Sequence, residues 1–265
     1  MPVGYTLPQT PSGRSSLASR PPWHYAGDCL AVEFEASPDS IRALLPTPLE
    51  FESAQCAAYF VEWQFATDDG EELLDPVTSQ YNETIFLVCG RYRGENVAFC
   101  PFIWVDQDVS LMRGLIQGWS KQIGATWITR AYPLAGKAAS QHAPVGRFGA
   151  SLAVKDRRLV DARVTLSERA RSLPQPSFAN AVNIRLFPNL TRGMHDKPAL
   201  FELVRLKSRD VQVGPMFKGD AMLTIHDHPR LELSMLRPVS TGPGYRFSVA
   251  LTVDDLEILA DLRAA

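Results

Sequence analysis

The sequence predicts an α+β fold, a single domain dominated by antiparallel strands that form a sheet or barrel-like core with a few short helices. Most apolar segments either alternate with polar residues or form short runs of strand length. Short polar turns join several of them, which favours antiparallel pairing. The 265 residues also show no internal repeat and no domain linker.

The first 22 residues are rich in Pro, Ser and Gly and carry almost no apolar periodicity. They predict an extended N-terminal arm over residues 1–22, followed by one domain over residues 23–265. Leu30, Val32 and Phe34 then alternate as on a half-buried strand. The run Ser37-Pro38-Asp39 supplies a helix N-cap, a first-turn proline and a first-turn acid, so a short helix is expected to about Leu45.

The next part of the chain is rich in β-branched and aromatic residues. Strands are expected over residues 56–65, 83–92, 96–105, 125–132, 149–154 and 160–166. Polar turns at 91–96 and 155–158 join two pairs of these as hairpins. Residues 108–119 differ, because their apolar side chains recur at helical spacing. They predict a helix that Asp108 or Ser110 caps.

The last third continues the strand pattern. Strands are expected near residues 183–187, 199–206, 222–226 and 245–252. The apolar spacing after them predicts a terminal helix from about Val253 to Leu262.

Composition excludes several classes of partner. The net charge is -2 and no stretch gathers basic residues, so we expect no nucleic-acid partner. The longest apolar stretch, Val97 to Val105, is far short of the ~20 residues of a membrane helix, so no membrane association is expected. The N-terminus lacks the pattern of a secretory signal, which predicts a cytoplasmic protein. The four cysteines form no C-x-x-C pair and are expected to be buried thiols.

The sequence contains no complete metal-binding or nucleotide-binding motif. His226-Asp227-His228 places two histidines on one side of a strand but lacks a third ligand. Asp106-Gln107-Asp108 stands where a helix N-cap is needed. Phosphate-binding, dinucleotide-binding and nucleophile-elbow motifs do not occur. We therefore expect no metal and no cofactor.

Lys121 is the candidate nucleophile, in the segment Gly118-Trp119-Ser120-Lys121-Gln122-Ile123-Gly124. A lysine of ordinary pKa, near 10.4, is protonated at neutral pH and must lose its charge before it attacks a carbonyl. The apolar neighbours Trp119 and Ile123 favour a desolvated amine. The alternative is a lysine whose stem packs on Trp119 while the amine reaches water.

This segment resembles the acetoacetate decarboxylase family, whose Schiff-base lysine lies in a Gly/Ala-aromatic-Pro-Lys-Lys-Leu-Gly motif. Further similar segments stand in the family's order: Arg20-Pro21-Pro22-Trp23, Ala43 to Glu50, Tyr81-Asn82-Glu83 and Ile184 to Asn189. The resemblance covers most of the chain beyond the arm. It implies the family's fold, a catalytic domain over residues 23–265 and an imine at Lys121.

The resemblance also implies partners for the lysine. Glu83 matches the family's active-site glutamate, and a carboxylate beside the imine suits proton transfer. Tyr81, two residues earlier on a strand, projects to the same face. Gln117, four residues before Lys121, shares its side if the helix continues, and it could bind a substrate carboxylate. Tyr245 is a further candidate for substrate binding.

Each of these residues also has an ordinary structural explanation. Glu83 could face solvent at a strand start, Gln117 could be an exposed helical residue, and Tyr245 could be a core aromatic with its hydroxyl at the surface.

Three departures from the family pattern argue against decarboxylation. The second lysine of the motif is Gln122 here, so its charge is missing and burial must lower the pKa of Lys121. A family arginine falls at Asp28, and a family glutamate aligns near Phe60, two residues from Glu62.

By resemblance, the expected activity is that of a lyase: Lys121 forms an imine with a 2-keto acid such as pyruvate, and aldol condensation with an aldehyde and dehydration follow. The alternatives are decarboxylation of acetoacetate or a related β-keto acid, and a non-catalytic protein that binds small carboxylates. The arm and the family both suggest a homo-oligomer.

Overall fold

Strand is the main secondary structure in the computed structural model, which describes residues 1–264. The twelve strands are β1 Trp23–Glu35, β2 Glu50–Ala66, β3 Gln80–Tyr92, β4 Glu95–Val105, β5 Lys121–Ile123, β6 Ala125–Ile128, β7 Arg147–Val154, β8 Arg157–Arg169, β9 Val182–Phe187, β10 Leu200–Val213, β11 Phe217–Ile225 and β12 Ser240–Asp261. The α-helices are α1 Pro38–Leu44, α2 Pro76–Ser79 and α3 Asp108–Gln117. Short 3-10 turns lie at Glu71–Leu74, Phe178–Asn180, Leu233–Leu236 and Leu262–Ala264.

All twelve strands belong to one sheet. Ten follow the order β5-β4-β3-β2-β1-β12-β11-β8-β7-β6, and β10 pairs with both β12 and β9 beside this path. Every strand pair is antiparallel except β4 and β5, where Ile103 lies opposite Lys121 in a parallel register. The hairpins predicted at residues 91–96 and 155–158 join β3 to β4 and β7 to β8.

Apolar side chains cover both faces of the sheet, because successive residues of a strand point to opposite sides. On β1, Leu30 belongs to one core and Cys29 to the other. Both ends of the sheet curl back over these cores. At one end β6 packs against β2 and β3, and at the other a bridge joins Ala98 of β4 to Ala181, just before β9. The result is a single strand-dominated α+β domain built on one large open sheet, as the sequence predicted.

The N-terminal segment contains neither helix nor strand over residues 1–22, all of which are described. It folds back on itself through a bridge between Val3 and Thr10. The segment also contacts the domain, because the ring of Tyr5 meets Trp23 edge-on with centroids 6.2 Å apart, and Ala18 is fully buried.

The predicted terminal helix is wrong. Residues 253–261 continue β12, and only Leu262–Ala264 form a short 3-10 turn. The long strand β10 supplies a pairing partner from Glu202 opposite Asp261 to Val213 opposite Val249. Shifts of register along this pair let the helix-like spacing of apolar residues fit a strand. Tertiary pairing therefore overrides the local pattern.

Other features agree with the sequence in part. The four cysteines are free; three are buried and Cys89 is half-buried. The strand predicted to residue 132 ends at Ile128. No helix within residues 1–264 is long and apolar enough to cross a membrane.

Candidate active site

Helix α3 buries a polar face. Its four buried residues are Ser110, Arg113, Gly114 and Gln117, which recur at the i, i+3, i+4, i+7 spacing of one helix side. The apolar residues that predicted this helix, such as Leu111 and Leu115, are only half-buried. Because α3 turns its polar side toward the interior, polar groups are buried together beside this helix.

The predicted end and cap of this helix are both corrected. The helix stops at Gln117 because Gly118 adopts φ 86°, a left-handed conformation that favours glycine, and its N–H bonds to the carbonyl of Gly114. The N-cap residue is Gln107, with no side-chain cap bond. Gln117 and Lys121 therefore do not share a helix side. They meet because the chain turns at Gly118 and enters β5.

The amine of Lys121 is enclosed by polar partners. Its Nζ lies 2.6 Å from Glu83 Oε2 and 3.0 Å from Ser110 Oγ. The side chains of Lys121 and Glu83 are each only 6% exposed. The lysine stem passes so close to α3 that a Cβ added to Gly114 would lie 2.5 Å from the lysine Cδ. A glycine at this point of the helix makes room for the lysine.

Glu83 and Tyr81 reach the lysine from the neighbouring sheet. Both are on β3, two residues apart, and both are buried. The indole N–H of Trp63 donates to Glu83 Oε1 at 3.1 Å, which fixes the carboxylate, and the ring of Tyr81 lies 5.5 Å from Lys121 Nζ. Burial holds the pKa of Tyr81 well above its usual value, so its hydroxyl stays protonated at neutral pH.

Gln117 and Tyr25 form a second polar pair at the cavity. Gln117 Nε2 donates to the hydroxyl of Tyr25 at 3.3 Å. Burial raises the pKa of Tyr25, so this hydroxyl also remains a donor. Together the two side chains offer N–H and O–H groups that suit a carboxylate or carbonyl oxygen.

Arg113 is a buried cation without a hydrogen-bond partner for Nη1 or Nη2 among residues 1–264. Its guanidinium lies over aromatic rings, 3.7 Å from the centroid of Phe65, 5.6 Å from that of Tyr25 and 5.7 Å from that of Tyr81. Such rings attract a cation through their negative faces. The arginine stands behind the cavity wall rather than in it.

Burial lowers the pKa of Lys121, and the charge of Arg113 lowers it further. The carboxylate of Glu83 acts in the opposite direction, but desolvation is the largest effect and the pKa ends below its ordinary value. This agrees with the sequence, which assigned the change to burial. It corrects the expectation that no cation assists, because Arg113 supplies one from α3 in place of the residue after the lysine.

The cavity beside Lys121 has a volume of about 90 Å³. The side chains that line it are Tyr25, Trp63, Tyr81, Glu83, Ile85, Gln117, Trp119, Lys121, Leu173, Phe178, Ala179, Leu206, Ser208, Val211, Val249, Leu251 and Val253. Lys121 and Glu83 are the charged members of this described lining, and most of the rest is apolar. The cavity can therefore hold a small molecule against the amine of Lys121.

Four of the five predicted site residues surround this one cavity: Lys121, Glu83, Gln117 and Tyr81. Tyr245 does not line it. That tyrosine lies in the core on β12, and desolvation and the nearby Glu33 raise its pKa to about 12. We leave it out of the site.

Asp28 and Glu62 also lie away from the cavity. They stand on the other face of the sheet, where Asp28 Oδ2 pairs with Arg246 at 2.5 Å.

His226 binds Asp161 at 2.9 Å, and within the described chain no group of three or more His, Cys, Asp or Glu side chains is placed to hold a metal ion.

Sequence reasoning missed Tyr25, Trp63, Ser110 and Arg113. Two of them, Tyr25 and Trp63, lie far from Lys121 in sequence. The other two lie on α3, where Ser110 was considered only as a helix cap and Arg113 belongs to no local motif. A usable signal did exist on α3. Three polar residues and one glycine share one side of this helix: Ser110, Arg113, Gly114 and Gln117. Polar residues at core spacing directly before a candidate nucleophile indicate a site.

Comparison with known protein families matches residues 6–262 to the acetoacetate decarboxylase (ADC) family. The chain belongs to this family and is an enzyme of it. Comparison with the curated proteins gives no significant match.

Solved structures extend this result. The chain is 35% identical to the enduracididine biosynthesis enzyme MppR complexed with the condensation product of pyruvate and imidazole 4-carboxaldehyde, with a TM-score of 0.92, covering 99% of this chain and 98% of that one. A second MppR structure, complexed with pyruvate, has a TM-score of 0.91 at 35% identity and covers 98% of this chain and 99% of that one.

A more distant structure shares the fold. An acetoacetate decarboxylase-like enzyme from Sphingomonas wittichii RW1 has a TM-score of 0.90 at 24% identity, covering 98% of this chain and 100% of that one.

The contact between Gly114 and Lys121 gives a first prediction. Gly114→Ala should raise the helix propensity of α3 by about 1 kcal/mol. It should also displace the lysine stem and slow imine formation by up to ~100-fold, since small misplacements of reacting groups have such effects. Borohydride trapping of a keto-acid imine measures the rate. Gly136→Ala is the control, because an added Cβ there meets only ordinary contacts. Equal trapping rates in the two variants would show that the contact between Gly114 and the lysine stem does not position Lys121.

Arg113 gives a second prediction. Arg113→Met removes a positive charge that disfavours the ammonium form, so the pKa of Lys121 should rise. Because the neutral amine is the nucleophile, the acid limb of the pH profile of imine formation should move to higher pH. Arg42→Met is the control, since Arg42 is exposed on α1, away from the cavity, and its loss should leave the limb in place. An unchanged limb in Arg113→Met would show that the arginine does not act on Lys121.

Proposed function

We propose that this enzyme condenses a 2-keto acid, with pyruvate as the best candidate, with an aldehyde through an imine at Lys121 and then removes water. The observation that carries the proposal is the buried amine of Lys121, held 2.6 Å from the Glu83 carboxylate at the wall of a small cavity. A nucleophile and an acid-base group are thus already in contact.

Charge balance favours a substrate with one carboxylate. With Lys121 neutral, the charges of Arg113 and Glu83 cancel in the buried site. An iminium adds one positive charge, and a keto-acid carboxylate adds one negative charge, so the covalent complex is again balanced. Unbalanced charge in a buried site is strongly disfavoured. Gln117 and Tyr25 stand at the cavity to donate hydrogen bonds to that carboxylate.

The first half of the reaction activates the keto acid. Lys121 Nζ attacks the keto carbon, and the carbinolamine loses water to give an iminium. Glu83, within hydrogen-bond reach of Nζ, transfers the protons. Removal of a proton from the methyl carbon then gives an enamine, in which the iminium nitrogen has accepted the electron pair.

The second half makes the carbon–carbon bond. The enamine carbon attacks the aldehyde carbon, and the aldehyde oxygen takes up a proton to become a hydroxyl. Loss of a second proton from the former methyl carbon expels that hydroxyl as water. A water molecule then hydrolyses the imine, which releases an unsaturated 2-keto acid and returns Lys121. In this proposal Tyr81, which lines the cavity and is protonated, orients the aldehyde oxygen.

The relatives support this choice of substrate. MppR, at 35% identity over almost the full chain, has structures with pyruvate and with a condensation product of pyruvate and an aldehyde. The family match supports lysine-based catalysis more generally.

Trapping with borohydride tests the proposal directly. Pyruvate and borohydride together should leave a reduced pyruvate adduct on the peptide that contains Lys121, and Lys121→Arg should abolish it. Addition of an aldehyde in place of borohydride should give an unsaturated keto acid, which is detected by its ultraviolet absorbance. An adduct on any other residue, or none, would overturn the mechanism.

Decarboxylation of a β-keto acid is the second candidate. Arg113 favours it, because this arginine supplies the cation near the lysine that the sequence lacks at Gln122. The same iminium would accept the electron pair released with carbon dioxide. Carbon dioxide release from acetoacetate distinguishes the two activities: fast release that depends on Lys121 would replace aldol condensation as the main activity.

We also propose that the enzyme is a cytoplasmic homo-oligomer. Four free cysteines are in keeping with a reducing compartment. The number of subunits and the role of residues 1–22 between them stay predictions from the sequence.

A further inference from the structure

The part of the cavity away from Lys121 is apolar and comes from separate elements. Strand β12 contributes Val249, Leu251 and Val253, and β10 contributes Leu206. The segment between β8 and β9 contributes Leu173 and Phe178. Most of this surface has no hydrogen-bonding group to offer a ligand.

The order of strands separates this surface from the reacting amine. Glu83 lies on β3, and β2 and β1 stand between β3 and β12 in the sheet. Three strand spacings of about 4.8 Å separate β3 from β12 laterally by ~14 Å. The curl of the sheet brings the two closer across the cavity. A keto acid on Lys121 therefore leaves the apolar wall to the second substrate.

No charge is left to bind a charged second substrate. Lys121 and Glu83 are the charged side chains in the described lining, and both are needed for the imine. Ser208 at the exposed mouth is the polar group of the outer part. A charged group placed against this wall would lose its water without gaining an ionic partner, which is strongly disfavoured.

The apolar wall is also held in place. The hydroxyl of Tyr59 lies 2.9 Å from the carbonyl of Pro174 and 2.8 Å from that of Pro176, so it anchors the segment that carries Leu173 and Phe178. The ring of Phe178 packs edge-on against Tyr59, with centroids 5.4 Å apart. The wall is therefore a formed part of the site rather than a loose loop.

We infer that the aldehyde substrate is uncharged and carries an apolar aliphatic or aromatic group, which packs against β10, β12 and Phe178. This inference rests on the proposed aldol function and adds the class of its second substrate. The carbonyl end of the aldehyde faces the enamine, and the apolar end replaces water along the wall.

The experiment compares two aldehydes of similar size with the native enzyme at saturating pyruvate. One is methyl 4-formylbenzoate, which is uncharged, and the other is 4-formylbenzoate, which carries a carboxylate at the same position. The value of kcat/KM should be at least ~100-fold higher for the ester, because the cavity offers the carboxylate no partner.

Two matched variants locate the effect. Val211 and Val239 are both exposed valines, at 48% and 74%, but Val211 lines the cavity and Val239, just before β12, does not. Val211→Lys should raise kcat/KM for 4-formylbenzoate several-fold by giving its carboxylate a partner at the mouth. Val239→Lys should leave kcat/KM unchanged for both aldehydes. Both positions are exposed, so both variants should fold.

Pyruvate trapping in each preparation separates the possible failures. If the imine forms but the carboxylate aldehyde reacts as fast as the ester, the inference is overturned while the lysine chemistry stands. If the imine forms and neither aldehyde condenses, the inference is also overturned. If no imine forms at all, the proposed function fails and the inference fails with it.

Discussion

The amine of Lys121 lies in a buried cavity against the carboxylate of Glu83, and much of the surrounding structure keeps the two together. Trp63 fixes the carboxylate from β2, Ser110 accepts a hydrogen bond from the amine, and Gly114 leaves space for the lysine stem. Desolvation disfavours the ammonium form more than the carboxylate favours it. Burial therefore makes the ammonium form of Lys121 less stable than that of an exposed lysine, which favours the proposed attack on a carbonyl.

This arrangement is costly for stability. A lysine whose pKa is lowered in the folded state binds fewer protons than in the unfolded state, so its burial destabilises the fold at neutral pH. That cost disappears only as the pH rises past the pKa of lysine in the unfolded chain. The buried guanidinium of Arg113 also costs stability, because it packs against aromatic rings instead of pairing with an anion. The two cores on either face of the sheet supply the stability that such a site requires.

Periodicity in the sequence predicted most of the fold, because strands that face a core must alternate and their turns need particular residues. It failed at residues 253–262, where pairing with β10 decides the structure. At the site, Glu83 and Tyr81 could be predicted because two strand residues share a face. Arg113 and Tyr25 could not be predicted in the same way, since their closeness to Lys121 arises only when α3, β1 and β5 meet. Gln117 was placed near Lys121 for the wrong reason, because the turn at Gly118 and not a continuous helix brings them together.

The pKa of Lys121 tests the central claim most directly, and nitrogen NMR of the labelled lysine can follow it at low and high salt. If burial is the main cause, the pKa should be well below its ordinary value, and the depression should persist at high salt, because desolvation is screened much less than the charge of an exposed neighbour. A pKa close to the ordinary value of lysine, or a depression that disappears with salt, would contradict this account.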